Sequence, residues 1–370
     1  MKIQSANFNR QPGMTLVELL VALVLGLFLL GGIVQVFAGN RIAFSFNEGL
    51  SRIQENARFS LEHIAYSTRM AGSSGCIANV AVFNDLGGAP SPFRDDIANG
   101  IQGYNANGTG VGENYVAAAI DPAPSGNAND WTPALPAELN NRVLPGSDVL
   151  IVRSVDGVSQ SLITPFSTST QLFIAGPHDF VNGEILVATD CQKSSIFQLT
   201  GSANAGVGFS LDHSAGGGFS PGNGTANWPS EQDYGLGGEV ARLQTYAFYV
   251  GQSANGRPSL FQLRLQGLNG TTAGFAPEEL VEGIDTMQIR YGVDPDNDGD
   301  IDNLVPADAV ADWTRVLSVE LALLARATDE YGLETDTVVY NLAAMQFDPV
   351  DDRRFREVFS TTVGVRNRLP

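Results

Sequence analysis

From Leu19 to Asn40 the chain carries no charged residue. A helix over that stretch is long enough to cross a hydrocarbon layer of roughly 30 Å. This narrows the fold, because a segment in lipid must satisfy its backbone hydrogen bonds within itself. One acid stands at the head of the run. Glu18 lies in "MTLVELLVALVLGLFLL", and a carboxylate at membrane depth costs roughly 2.5–3.5 kcal/mol even on lenient scales. Lys2 and Arg10 are the charges upstream of it, which holds the leader on the cytoplasmic side and puts everything after Arg41 outside. A cleavable secretory signal needs a small-residue site after the run, and "VQVFAGN" around Ala38 is a poor one. Neither that signal nor a plain anchor accounts for Glu18.

The stretch "PGMTLVELLVALVL" resembles the class III leader and N-terminus of type IV pilins and type II secretion pseudopilins. The resemblance implies a leader over 1–13, cleavage after Gly13 and N-methylation of the new terminus, Met14, by a prepilin peptidase/N-methyltransferase. Phe is commoner than Met at that position in the family. It also implies a role for Glu18. The acid would pair with the cationic amine of a neighbouring subunit, in surroundings that screen the attraction far less than water. An unpaired buried charge would cost several kcal/mol. Glu18 is therefore expected to set assembly register.

The helical pattern runs on beyond the membrane segment. Leu50, Ile53, Ala57, Leu61 and Ile64 recur at steps of three and four, and "AGSSG" at Ala71–Gly75 ends the pattern. A helix from Met14 to about Met70 would be roughly 85 Å long. Gly26, Gly31, Gly32, Gly39 and Gly49 predict bending or melting along its first half. "ENARFSLEHIAYSTRMAGSSGC" is similar to the helix end and following cysteine of PilW-type minor pilins, which are related to the J-class pseudopilins.

Acidic residues outnumber basic ones 40 to 21, for a formal charge of −19. No nonspecific nucleic-acid binding is expected, since that rests on cations meeting phosphates. The two cysteines, Cys76 and Cys191, suit either one disulfide outside the cytosol or two buried thiols. The PilW resemblance implies the disulfide, pinning the end of the helix to a strand end after "EILVATD". The closed loop is long, so the entropic model gives on the order of 4–5 kcal/mol as an upper figure.

Residues 73–145 are rich in turn formers and predict an irregular, loop-rich insertion. Its "GTGVGEN" lacks the flanking strand and Lys-Ser/Thr of a phosphate loop. From 146 to 370 a β-rich domain is expected. "DVLIVRS", "QLFIAG", "EILVATD" and "SIFQLTG" read as strands, and "EVARLQTYAFYVG" with "PSLFQLRLQG" as a hairpin about "QSANGR". "LVEGIDTMQIRYGVD", "RVLSVELALLARA" and "REVFSTTVGVRN" follow, again similar to PilW proteins. Ser202 to Gly235 reads as a low-complexity loop, either a mobile surface loop or an adhesive tip loop, and the Asn-Gly-Thr sequons at Asn107, Asn223 and Asn269 read as turns.

"DPDNDGDIDN" spaces Asp294, Asp296, Asp298, Asp300 and Asp302 as an EF-hand spaces its ligands, with Gly299 at its sixth position. The twelfth position, a bidentate Glu in that motif, is Val305, and the preceding segment reads as strand. The residues thus suit either a modest Ca²⁺ site, by the hardness of their oxygens, or a solvated acidic turn. His63, His178 and His213 are scattered, and neither a zinc motif nor a nucleophile elbow occurs. No enzyme is expected.

The combined expectation is an α+β, pilin-like chain. Residues 14–40 would be the transmembrane and assembly helix. Residues 41–72 would be its amphipathic outer half, packed on antiparallel sheet. The resemblance implies other minor pilins, a major pilin and a tip adhesin as partners, with the inner membrane as the site before assembly. Two rival readings are a J-class secretion pseudopilin and a calcium-dependent adhesin exported as a pilin.

Overall fold

The computed structural model describes residues 13–73, 81–88, 91–163, 170–224, 228, 232, 234, 237–330 and 334–368. A single helix, Leu16–Arg69, runs for 54 residues, about 80 Å at ~1.5 Å per residue. It passes unbroken through Gly26, Gly31, Gly32, Gly39 and Gly49, so the expected melting is not present. A glycine costs a helix only about 1 kcal/mol relative to alanine, too little to open backbone hydrogen bonds flanked by strong helix formers. The helix ends at Met70, whose amide bonds back to Ser67 and Thr68, with Arg69 in the last turn.

The outer half of the helix is amphipathic because its apolar positions repeat every three or four residues. Ile53, Ala57 and Ile64 are at most 2% exposed. They share one cluster with Val152, Phe248 and Leu260 on one sheet and with Met287, Leu321 and Val363 on another. The second sheet is antiparallel and four-stranded, in the order Asn303–Val305, Ile284–Val293, Val316–Arg326, Arg356–Gly364. The other has nine strands. Its path runs Ala81–Asn84, Lys193–Gln198, Ile185–Thr189, Glu239–Gln252, Val149–Ser161, Ile101–Ala106, Trp131–Thr132. Pro258–Leu268 and Thr272–Glu282 extend it from the far half of Glu239–Gln252. The layout is α+β, as expected, and the hairpin about residues 253–257 is present.

Residues 73–145 contribute Ala81–Asn84, Ile101–Ala106 and Trp131–Thr132 to the large sheet and Asn114–Val116 to a small one. This stretch is built into the β architecture despite its many turn formers. The Ser202–Gly235 expectation is overturned. Gly201–Asn204 and Phe209–Asp212 are paired strands, and Leu211, His213, Trp228 and Tyr234 are buried. His213 stacks on Trp228 with ring centroids 4.3 Å apart. A few large aromatic rings in a Gly/Ser-rich segment bury enough apolar area to anchor it.

The two sheets are joined through a buried carboxylate. Asp148 is 3% exposed and accepts the amides of Ala106 and Ile289, both at 2.9 Å. Its own amide donates to Met287 O at 2.8 Å, and Thr286 Oγ1 donates to Gly146 O at 2.8 Å. Burial pushes the Asp148 carboxyl up to about 7 against the pull of those amide bonds. At Gly103 a Cβ would sit 2.0 Å from the Tyr291 hydroxyl, so this crossing requires glycine. At the far end of the four-stranded sheet, Arg326 and Arg356 are both 1% exposed at the side chain and share Asp285, at 3.1 and 2.8 Å.

Candidate functional site

The head of the long helix is built by two residues. Thr15 is the N-cap, with φ −74° and ψ 150°, and Glu18 is the third helical residue. Glu18 N donates to Thr15 Oγ1 at 3.3 Å, and Glu18 Oε2 accepts from Thr15 N at 3.0 Å and Thr15 Oγ1 at 2.9 Å. This is a reciprocal capping box, which satisfies donors that the first turn of any helix leaves open. The Thr-x-x-Glu spacing is its sequence signature, a local signal overshadowed by the charge of Glu18. Gly13 and Met14 precede the helix and are exposed. Leader residues 1–12 lie outside the described residues.

Beyond that head, the large apolar side chains from Leu16 to Phe44 are all exposed, between 48% and 78%. None of the most apolar part of this stretch is buried within the chain. Side chains of this kind stay dry only in lipid or against other apolar helices. The domain-packed half of the same helix begins at Gly49.

The acidic loop follows strand Ile284–Val293. Asp294 Oδ1 accepts the amides of Asn297 at 2.6 Å and Asp298 at 3.2 Å, and Oδ2 accepts Gly299 N at 2.9 Å. Asn297 and Gly299 take left-handed φ values of 63° and 95°, which bend the chain around that carboxylate. Burial raises the Asp294 pKa, but the three amide bonds outweigh it and leave the carboxyl below its usual range. Asp296 is shifted upward, first by the charge of Asp298 and then by burial and Asp302. Asp294, Asp296 and Asp302 bring carboxylate oxygens within 4.8 Å of one another and could hold a metal ion. Asp298 and Asp300 stand outside that group, which narrows the five-residue set expected from spacing. The physical reason is the turn. Asp298 Oδ1 is turned to its own loop, accepting Asp300 N at 2.9 Å. Val305, at the twelfth position, lies in a strand paired with Tyr291 and supplies no carboxylate.

Cys191 sits in a turn with φ 67°, its amide donating to Thr189 Oγ1 at 3.4 Å. No described cysteine is free. Cys76 lies outside the described residues. The three histidines serve separate places. His63 Nε2 bonds Gln262 Oε1 at 2.8 Å, His178 Nε2 bonds Ser202 Oγ at 2.7 Å, and His213 belongs to the aromatic cluster. Asn223 is a buried brace, its amide group pairing with Gln198 N and O at 2.7 and 2.8 Å. At the sequon Asn269, a positive φ of 52° followed by 72° at Gly270 makes the expected turn.

Comparison with protein families gives two matches. A model described as type IV pilus-assembly protein W covers residues 247–367. A model described as the prokaryotic N-terminal methylation motif covers residues 8–34. Neither a curated protein nor a solved structure matches the chain.

Proposed function

Given that this chain is a type IV pilus pilin of the PilW family, anchored in the inner membrane and then assembled into the pilus, we propose that it primes that assembly from the tip. Cleavage after the exposed Gly13 would free the amine of Met14 for methylation, directly before the capped head of the helix. The chain would then join other minor pilins in a complex that supports pilus extension, adhesion or twitching motility, at the tip of the major pilin's regular shaft and with a tip adhesin as a further partner. It acts as a structural subunit. The observation that carries this reading is the bare apolar half-helix headed by Glu18. Both capping bonds use Oε2, which leaves Oε1 to meet the amine of a neighbouring subunit. Large surface loops suit a tip position, where they need not repeat along a shaft. The match over residues 247–367 favours the pilus over a secretion pseudopilus.

Glu18→Gln tests the electrostatic half of this reading. Glutamine can cap the helix as glutamate does, so the head of the helix stays formed while the charge is lost. Expected is a sharp fall in the amount of this subunit in sheared pili, with membrane levels unchanged. Normal incorporation would show that capping alone is the task of Glu18. A deletion strain, scored for surface pili with and without a retraction defect, tests the priming role, and wild-type piliation would oppose it.

Cys191 and Cys76 are assigned to one disulfide on this reading, tying the helix end to the large sheet. The Asp294, Asp296 and Asp302 group is assigned a weak Ca²⁺ site that orders its loop. Three carboxylates are hard ligands, but the absence of a twelfth-position Glu keeps the affinity modest. Calorimetric titration of the full chain in detergent should show Ca²⁺ heat at millimolar levels, abolished in Asp296→Asn. No heat in the wild type would remove the site.

A further inference from the structure

Exposed strand edges invite pairing with other chains, and proteins blunt them with short strands, charge, proline or bulges. The described outer strands of this chain follow that practice with one exception. Ala81–Asn84, Gln171–Ile174 and Gly201–Asn204 are four residues long, and the outer strands Asn114–Val116, Trp131–Thr132, Asn303–Val305 and Tyr340–Leu342 are shorter still. Thr272–Glu282 is long but carries Pro277, Glu278, Glu279 and Glu282, and its pairing is interrupted by a register shift. Strand Arg356–Gly364 spans nine residues in unbroken register with Val316–Arg326, and from Val358 to Val365 it has neither charge nor proline.

The free side of that strand can be read from its ladder. Alternate residues of an antiparallel strand turn both backbone groups toward one neighbour. Val365 N donates to Leu317 O, and Phe355 O accepts from Ala327 N, so the odd-numbered residues face the partner strand. The N–H and C=O groups of Val358, Ser360, Thr362 and Gly364 point outward. Ser360 and Thr362 are exposed. The faces beside this edge are covered. Phe359 and Val363 pack with the long helix on one face, and Val358 packs with Leu342 and Phe347 on the other. Among the described residues no strand pairs with the outer side of this edge, and Ser360 and Thr362 mark its most open part.

We propose that strand Arg356–Gly364 receives an extended, uncharged segment of a neighbouring pilus subunit, which adds to the four-stranded sheet as a further strand. Main-chain hydrogen bonds would supply the affinity, and Ser360 and Thr362 would tolerate varied side chains opposite. A subunit is the favoured occupant because this strand packs, through Phe359 and Val363, on the outer half of the helix whose bare inner half we place in the filament. A second copy is less favoured, since each carries a formal −19. The inference rests on the reading that the chain enters pili.

The test is Ser360→p-benzoylphenylalanine in the full chain, expressed in its own cells in place of the wild type and illuminated during piliation. Glu279→p-benzoylphenylalanine, on the blunted edge, is the control. Expected is an adduct at position 360, mapped by mass spectrometry to an extended segment of another pilin and absent from position 279. Thr362→Pro removes one outward donor without touching the inner ladder. It should cut the yield of that adduct by about ten-fold or more, the equivalent of about 1.4 kcal/mol in binding, in a double variant carrying the cross-linker. Should that proline lower the melting temperature of the purified chain, Thr362→Lys, which only places a charge at the edge, takes its place. Subunit present in sheared pili without a position-360 adduct overturns the strand pairing and leaves the assembly reading standing. An adduct between two copies of this chain overturns the choice of occupant. Absence from pili altogether defeats the assembly reading instead.

Discussion

The two halves of the long helix share one backbone geometry and opposite surroundings. From Leu16 to Phe44 the large side chains are bare, whereas Ile53, Ala57 and Ile64 are buried against two sheets. Helix propensity cannot account for both halves, because most helical stability in proteins comes from what a face packs on. The outer half is held by the domain's own core. The inner half is held by whatever apolar medium surrounds it, first lipid and then other subunits. The same helix therefore transmits two independent requirements, and a substitution should disturb one or the other according to its position.

That separation can be broken most severely at the domain-packed face. Ile64→Ala empties a fully buried site and should cost about 2–5 kcal/mol. Leu29→Ala, on the bare half, should leave the domain's melting temperature where it was. Differential scanning calorimetry of the full chain in detergent reads both, and equal losses would mean that the halves are not independent. A smaller loss is expected from cutting the tether that we assign at the end of the helix. Cys191→Ser should cost about 2–4 kcal/mol and unmask a free thiol at Cys76. A wild-type chain whose two cysteines both react with a thiol reagent under non-reducing conditions would refute the tether.

How much of this could be read beforehand follows from where the determining contacts lie. The strands at 149–161, 171–174, 185–189, 239–252 and 316–326 were legible because each holds a short apolar or alternating run between turn formers. Strand Thr272–Glu282 was legible only at its C-terminal end, since Pro277 and its acids argue against a central strand. An edge tolerates them, having one side without a ladder. Trp228 and Tyr234 were hidden in polar sequence, and their burial depends on Phe197 and His213 brought in from elsewhere. At the functional end, Glu18 stood out by charge alone, while its bond to Thr15 was local and could have been read from spacing. The acidic loop shows the opposite limit. Its ligands could be listed from sequence, but which of them converge depends on the left-handed residues Asn297 and Gly299.

The finest test leaves the helix and asks what holds together the domain its outer half packs on. Asp148 bridges the two sheets from a buried position, and burial lifts its pKa from an ordinary 3.8 to about 7. The folded state therefore binds its proton more tightly than the unfolded state does. By linkage, the stability this group contributes is fully present below about pH 3.8 and is lost as pH rises through about 7. Asp148→Asn keeps the side chain neutral at every pH but offers only one oxygen to the two amides of Ala106 and Ile289. One buried N–H is then left without an acceptor, at a cost of about 1–3 kcal/mol. Asp85, raised to about 6 first by burial, titrates in the same window in both proteins. The difference between wild type and variant therefore isolates Asp148. Melting temperatures measured from pH 4 to 8 should fall more steeply for the wild type, because a rise from 3.8 to about 7 is worth about 4 kcal/mol, so the variant should overtake the wild type before pH 8. Parallel curves would mean that Asp148 titrates as an ordinary carboxylate and that the seam between the sheets is held by its backbone bonds alone.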